Sequence, residues 1–133
     1  MHTSNPLHAR IEDLFARSAR GGLHFGEVVA ALQALGVSAY GVDYRAGRAT
    51  CYLPDDSTLD IPLEGKPARI AEAFSAADLT AAIRLAQRGE VMYPQFKVLS
   101  QAAGCCAYTV WIEGRHVAYH GRRGETHVEH FPE

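Results

Sequence analysis

Residues 36–42 read GVSAYGV and residues 104–110 read GCCAYTV, so both stretches follow the pattern G-x-x-A-Y-x-V. The offset between them is about half the length of the 133-residue chain. Apolar and glycine positions keep this offset outside the pattern, in the pairs Ile11/Leu79, Phe15/Ile83, Gly21/Gly89, Leu23/Val91, Phe25/Tyr93 and Val28/Phe96. The period is longer than that of solenoid repeats, so it predicts an internal duplication within one domain. We expect a single domain over residues 1–133, with halves at about 5–66 and 75–133.

Size and composition are those of an ordinary globular domain, with 47% hydrophobic and 21% charged residues. The net charge of −2 argues against a nucleic-acid or anionic-membrane surface, because both need clustered positive charge. No apolar run approaches the roughly 20 residues of a membrane span, and the N-terminus lacks the pattern of a signal peptide. The three cysteines form a poor disulfide framework, which favours reduced thiols and a cytoplasmic protein.

Each half opens with two predicted helices. Asn5-Pro6 is a helix start, and a second helix runs from about Phe25 to Leu35, before Gly36. Ser75 caps a third helix that ends near Gly89, and a fourth runs from about residue 93 to 103. Residues 64–74 contain Gly65 and Pro67 and are interpreted as a loop, in which residues 69–74 form either a short strand or a helical turn.

Alternating stretches follow the helices in both halves. Residues 39–44 and 49–53 predict two strands, and residues 58–63 a short third one at a sheet edge, because Pro62 cannot donate a ladder hydrogen bond. Residues 108–112, 116–120 and 125–131 predict three more. The fold class is therefore α+β: an internally duplicated helix-helix-strands unit forming one antiparallel sheet, with the helices packed on one face.

The chain resembles a known family, the YdfO-like proteins of unknown function, often labelled phage envelope proteins. The resemblance spans about residues 21–133 and is carried by Leu35-Gly36-Val37 with Tyr40, by Tyr93-Pro94-x-Phe96, by Gly104 with strand 108–112, and by Val128-Glu129-x-Phe131-Pro132. Family members tend to carry a tryptophan where this chain has Tyr108, whereas the single tryptophan here is Trp111. The resemblance implies a small bacterial or prophage-related protein and assigns no catalytic residue.

The most promising binding surface is the outer face of the second half-sheet. Trp111, Thr109, His116 and His120 are expected to share that face, where an amphipathic aromatic anchor suits a protein partner or a small ligand. The alternative is that the loop at residues 64–74 covers Trp111. The pseudo-twofold junction created by a duplication is a second natural place for a cleft. We predict a non-enzymatic binding or interaction domain without a cofactor, and the edge strands offer a route to a homodimer.

Two other functions are weighed against this one. Four of the seven histidines lie between residue 116 and the C-terminus, and His116 and His120 near Cys105 or Cys106 suggest a metal- or cysteine-dependent enzyme. Positions i and i+4 of a strand are roughly 13 Å apart, too far to share one metal ion without a third element. Five arginines at predicted turns would form a basic rim for nucleic acid if the turns met at one end: Arg45, Arg48, Arg115, Arg122 and Arg123.

Overall fold

A computed structural model describes residues 5–65 and 68–132, which form four helices and six strands. The first half contains α1 (Pro6–Ala19), α2 (Phe25–Ala34), β1 (Ala39–Asp43), β2 (Arg48–Tyr52) and β3 (Thr58–Pro62). The second half repeats the order with α3 (Ala76–Gln87), α4 (Tyr93–Ala102), β4 (Cys105–Trp111), β5 (His116–Gly121) and β6 (Thr126–His130). The predicted α+β fold with a duplicated helix-helix-strands unit is confirmed.

The six strands form one antiparallel sheet in the order β3-β2-β1-β4-β5-β6, so the two halves meet where β1 pairs with β4. In that pair Gly41 lies opposite Thr109, which is its own counterpart in the second copy of the repeat. The neighbouring pairs obey the same symmetry: Tyr40 with Val110, and Val42 with Tyr108. A local twofold axis therefore passes through the Gly41–Thr109 pair and relates one half of the sheet to the other.

The duplication keeps its spacing through most of each half. The offset that relates Gly36 to Gly104 also relates both ends of α2 to those of α4, and both ends of β3 to those of β6. The hairpin registers agree as well, because Tyr40 lies opposite Cys51 as Tyr108 lies opposite Tyr119. The two halves thus share the same spacing over most of their length, although β4 is longer than β1 and has a register shift between Cys105 and Ala107.

The antiparallel junction divides the hairpin turns between the two ends of the sheet. Because β1 and β4 run in opposite directions, the β1–β2 and β5–β6 turns lie at one end and the β4–β5 turn at the other. Arg115 is therefore separated from the other four arginines of the basic rim considered from the sequence. One of those four, Arg122, donates from Nη2 to the backbone oxygen of Ile70 at 3.0 Å. Four of the five arginines therefore lie at one end of the sheet, and one of these four, Arg122, is engaged in a hydrogen bond within the protein.

Helices α2 and α4 begin with the same device. The backbone N–H of His24 donates to Glu27 Oε1 at 2.9 Å, and the N–H of Met92 donates to Gln95 Oε1 at 3.1 Å. Each reach-back bond satisfies a donor that a helix start leaves free. Helix α1 uses a side-chain cap instead, since Asn5 Oδ1 accepts from the N–H groups of Leu7 and His8.

Helices α2 and α4 are also each followed by a glycine that no other residue can replace without strain. Gly36 has φ +84° and Gly104 has φ +90°, a conformation that L side chains rarely adopt. A Cβ at Gly36 would lie 2.6 Å from Pro54 Cγ, and one at Gly104 would lie 2.2 Å from the backbone oxygen of Ala73. These two glycines open the repeated pattern, which explains why the repeat begins with them.

The four helices cover one face of the sheet, and the core lies between the two layers. Strand β4 shows the alternation: Tyr108 and Val110 are buried against the helices, whereas Trp111 is 44% exposed on the outer face. The largest completely buried aliphatic side chains come from both halves and include Ile11, Leu32, Leu79 and Val110.

The segment between the halves differs from expectation. Residues 69–74 form neither a strand nor a helical turn. The segment is held by backbone bonds to the end of α4 instead: Ala71 N–H donates to Gln101 O at 2.9 Å, and Ser75 N–H donates to Ala103 O at 2.8 Å. Pro67, part of the predicted loop, lies outside the described residues. Partners that lie distant in sequence determine this conformation, so local pattern could not predict it.

Candidate functional site

A cavity of about 680 Å³ lies between the helices and the inner face of the sheet. Its walls come from all four helices and from strands of both halves, including β1 and β3 on one side and β4 to β6 on the other. The cavity therefore occupies the junction between the repeats, where the duplication suggests a cleft.

Equivalent residues of the two halves line this cavity. Twelve repeat pairs contribute both members, and they include Phe15/Ile83, Leu23/Val91, Phe25/Tyr93, Val28/Phe96 and Tyr40/Tyr108. The cavity thus follows the pseudo-twofold axis. Eleven of the twelve pairs combine two different side chains, so the space is only approximately symmetric.

Aromatic side chains form a large part of the wall. Eight aromatic rings line the cavity: Phe15, Phe25, Tyr40, Tyr93, Phe96, Tyr108, Tyr119 and Phe131. Several pack edge to face, with ring centroids 5.3 Å apart for Phe15 and Tyr40 and 6.0 Å apart for Phe25 and Phe131. Such packing holds the rings in place, so the wall presents a fixed aromatic surface to the cavity.

The tyrosine hydroxyls on the wall fall into two groups. Tyr108 donates to the hydroxyl of Tyr93 at 3.4 Å. Tyr40 and Tyr119 are only 4% and 6% exposed, and neither hydroxyl makes a hydrogen bond within the described parts of the chain. Neither oxygen is sealed inside the protein, because the sealed, unpaired side-chain polar atom among the described residues is Gln101 Oε1. Both residues line the cavity and buried polar groups are normally paired, so we infer that the cavity is where these two hydroxyls could meet a ligand.

Burial keeps these phenols neutral. Burial raises the pKa of Tyr40 well above its usual value, and the neighbouring Tyr93 and Tyr119 add to the shift. The pKa of Tyr108 is raised in the same way, chiefly by burial. At neutral pH the wall therefore offers aromatic faces and neutral hydroxyls, and none of its phenols acts as a base.

The charged residues that border the cavity are mainly acidic. Four carboxylates line it against one guanidinium: Glu12, Glu27, Glu64 and Glu129 against Arg88. Glu129 accepts from Arg84 Nη1 at 2.7 Å and contacts His127 Nε2 at 2.8 Å. Burial tends to raise the pKa of Glu129, but these hydrogen bonds outweigh it and hold that pKa below the usual value. Glu129 therefore stays ionised beside the cavity.

The residues predicted from the sequence lie on the opposite face of the sheet. Trp111 pairs with His116 across β4 and β5, and their rings stack with centroids 6.4 Å apart. His116 in turn lies against His130 at 5.9 Å. Thr109 and His120 lie on the same face but in other cross-strand rows, opposite Gly41 and Thr126 respectively. The structure thus brings Trp111 and His116 together and leaves Trp111 uncovered by the described part of the 64–74 segment.

The cysteines and histidines do not converge. Cys105 and Cys106 are buried, and their thiols donate to the backbone oxygens of Ala107 and His120. Burial raises the pKa of Cys105 to about 11. His116 and His120 instead contact the Gly114 oxygen and the Thr126 hydroxyl. Within residues 5–65 and 68–132, no group of three or more metal-ligating side chains is placed to hold a metal ion.

Sequence reasoning missed the cavity residues, although a signal for them was present. Tyr40 and Tyr108 occupy the same position of the repeated pattern and point to the inner face of the sheet. A core position that carries a hydroxyl in both copies is unusual for pure packing, since tyrosine is less often fully buried than aliphatic residues. The repeated tyrosine could have indicated a polar requirement inside.

Comparison with known proteins places the chain in a family. The family model described as "Protein of unknown function (DUF1398)" matches residues 14–129, so the chain belongs to that family. No curated protein matches the chain. In the described part of the structure, every helix falls short of the length and apolar content that crossing a bilayer requires.

Proposed function

We propose that this DUF1398 protein is a binding domain that takes a small, largely apolar molecule into the cavity between its two halves. The observation that carries the proposal is the cavity of about 680 Å³ on the pseudo-twofold axis, lined by aromatic rings. Ligand pockets are commonly about 300–1,000 Å³, mostly apolar, with a few convergent polar groups. Tyr40 and Tyr119 supply such polar groups.

The size of the cavity supports a ligand-binding role rather than imperfect packing of the core. Protein interiors are close-packed, and voids larger than a water molecule are few. An apolar cleft of this volume leaves the side chains around it without packing partners on their open side. Eight aromatic side chains, which are large enough to fill such a space, surround it instead. This arrangement is expected where an incoming molecule supplies the missing contacts.

A non-enzymatic role is favoured by the chemistry of the wall. Nucleophilic catalysis needs a nucleophile within hydrogen-bond reach of a base. All three cysteines are free and buried, and burial raises the pKa of Cys51 to about 12. The phenols at the cavity are likewise held neutral. Buried, free thiols also fit the cytoplasmic location that we predict from the sequence. The resemblance to the YdfO-like proteins implies a prophage-related origin.

A protein-binding role for the outer sheet face is a second candidate. The observation that favours it is the pair of exposed aromatic side chains Trp111 and Tyr52, each 44% exposed on either side of the buried Ala39. Trp111, Thr109, His116 and His120 are the proposed contact residues. If this face captures a partner, Trp111→Ala abolishes capture while the thermal midpoint changes little. Open edges at β3 and β6 are a separate route to a homodimer.

The cavity proposal is tested with the neutral fluorescent probe N-phenyl-1-naphthylamine, which brightens in apolar sites. We expect saturable binding and a raised thermal midpoint, because ligand at 100 times its dissociation constant adds about 2.7 kcal/mol. That gain corresponds to a shift of several degrees in a domain of this size.

A matched pair of variants locates the site. Ala86 lines the cavity from α3, whereas Ala81 is exposed on the same helix. Ala86→Phe should fill part of the space and abolish probe binding, and Ala81→Phe should bind like the wild type. Circular dichroism checks that both variants fold. Absence of probe binding by the wild type, or unchanged binding by a folded Ala86→Phe, would refute the proposal.

A further inference from the structure

We propose that the cavity selects organic cations, which are apolar, ring-containing molecules with a positive charge at one end. That end would lie nearest the rim, by which we mean the charged residues that border the cavity: Glu12, Glu27, Glu64, Arg88 and Glu129. This inference rests on the proposed function and adds the chemical class of the ligand. Three features carry it: the aromatic wall, the hydroxyls of the lining residues Tyr40 and Tyr119, which have no partner among the described residues, and the sign of the charges around the opening.

The aromatic wall favours a cation over an anion. The face of an aromatic ring carries a negative quadrupole, which attracts a cation placed within about 6 Å of the ring centre. Phe15, Tyr93 and Phe131 line the cavity and are only partly buried, so they retain surface that a ligand can contact. The attraction grows when the bound ligand excludes water from the site. An anion on the same faces is repelled, so the wall discriminates by charge as well as by shape.

The open hydroxyls fit the same ligand. Tyr40 and Tyr119 line the cavity with oxygens that accept hydrogen bonds, and no described residue donates to them. A phenol hydroxyl both donates and accepts hydrogen bonds, and its oxygen can accept from the N–H group of a protonated amine. Both residues are more than nine-tenths buried. An acceptor held this deep gains a partner when the ligand supplies a donor.

The ionic contacts around the rim leave negative charge without a partner. Among the carboxylates that line the cavity, Glu64 pairs with Arg20 and Glu129 pairs with Arg84. The lining guanidinium of Arg88 pairs with Glu90. Glu12 and Glu27 pair with no cation in the described residues, although Glu27 accepts from the His24 backbone N–H.

The rim therefore presents two uncompensated carboxylates and no uncompensated arginine among the described residues that line it. Low-dielectric walls that focus one sign of charge raise the local concentration of ligands of the opposite sign. Glu12 is the better candidate for direct attraction, because the carboxylate of Glu27 is already engaged in the start of α2.

The experiment uses two ions of nearly the same shape and opposite charge, tetraphenylphosphonium and tetraphenylborate, with triphenylphosphine oxide as the neutral member. The affinity of each compound is measured by competition with N-phenyl-1-naphthylamine for the full chain, at about 0.02 M and about 0.5 M salt. We expect the cation to bind at least about tenfold more tightly than the anion at low salt. The difference should narrow at high salt, because exposed carboxylates are screened.

Two variants isolate the rim charge. Glu12→Gln should weaken phosphonium binding about threefold at low salt and leave the neutral probe unaffected. Glu113→Gln, on the exposed β4–β5 turn, should change neither the affinity for the phosphonium nor the affinity for the neutral probe. If the neutral probe binds but the two ions bind equally, or the anion binds more tightly, the charge inference is overturned and the cavity function stands. If neither the neutral compounds nor the cation bind, the proposed function fails with it.

Discussion

Gly41 and Thr109 lie opposite each other at the centre of the six-stranded sheet. They are also equivalent residues of the two repeats, Gly41 in the first half and Thr109 in the second. The local twofold axis passes between them. The two residues nevertheless differ, since one half carries a side chain at this point of the outer face and the other does not. This asymmetry can be removed by substitution.

Gly41→Thr should therefore stabilise the protein. Glycine weakens a strand interior by roughly 0.5–1 kcal/mol, and threonine suits a strand. A Cβ at position 41 would lie 3.7 Å from Thr109 Oγ1, an ordinary contact distance. Urea unfolding should show the gain with an unchanged dependence on denaturant concentration. A loss of stability would mean that the close approach of β1 and β4 needs the glycine.

Gly104→Ala should have the opposite effect, with a loss of about 3 kcal/mol or more. The new Cβ would clash with the backbone oxygen of Ala73 at 2.2 Å, and φ is +90°. Gly36→Ala should cost less, because the atom it meets belongs to the side chain of Pro54, which can shift more easily than backbone. Equal losses in the two variants, measured by urea unfolding, would contradict this explanation.

Tyr40→Phe and Tyr119→Phe should change the free energy of unfolding by less than about 0.5 kcal/mol, because neither hydroxyl has a partner to lose among the described residues. Tyr44→Phe is the matched control. Its hydroxyl bonds to Ser100 Oγ at 2.9 Å, so its removal should cost about 1 kcal/mol. Hydroxyls that do not contribute to stability are those expected to contact a ligand. A loss at Tyr40 or Tyr119 as large as at Tyr44 would count against that role.

The free energy of unfolding should fall in alkali. The pKa of Cys51 is raised from 9.0 to about 12, and that of Cys105 from 9.0 to about 11, chiefly by burial. The unfolded chain then loses these protons at a lower pH than the folded chain does. The free energy of unfolding therefore decreases as pH rises above about 9. The buried tyrosines extend the fall above about pH 10, since their pKa values are raised in the same direction.

Urea unfolding at a series of pH values measures this dependence. Cys51→Ala should make the fall between about pH 9 and pH 12 shallower, because one of the raised pKa values is removed. In the folded protein the thiols should also resist a thiol reagent at about pH 8 until denaturant is added. Rapid reaction of all three thiols without denaturant would show that they are not buried as described.

The candidate site was predictable only in part. A cleft at the pseudo-twofold junction follows from the repeat, and the outer-face positions of Trp111, Thr109, His116 and His120 follow from strand alternation. The volume at the junction does not follow from either, because it depends on the separation of the helices from the sheet. The same is true of the charge balance at the rim, where Glu64 and Glu129 are compensated by arginines far away in sequence.

The sequence by itself determined the duplicated fold. Helix starts, glycine stops and strand alternation act over a few residues, so the same pattern in both halves produced the same elements at the same spacing. Only the tertiary structure decided how the halves meet, which tyrosines lack a partner, and how residues 69–74 are held. Those features depend on contacts between residues distant in the chain, and a cavity is defined by contacts that are not made. Local sequence patterns cannot predict such an absence. Each residue on the wall suits its helix or strand equally well whether the space beyond its side chain is filled or empty.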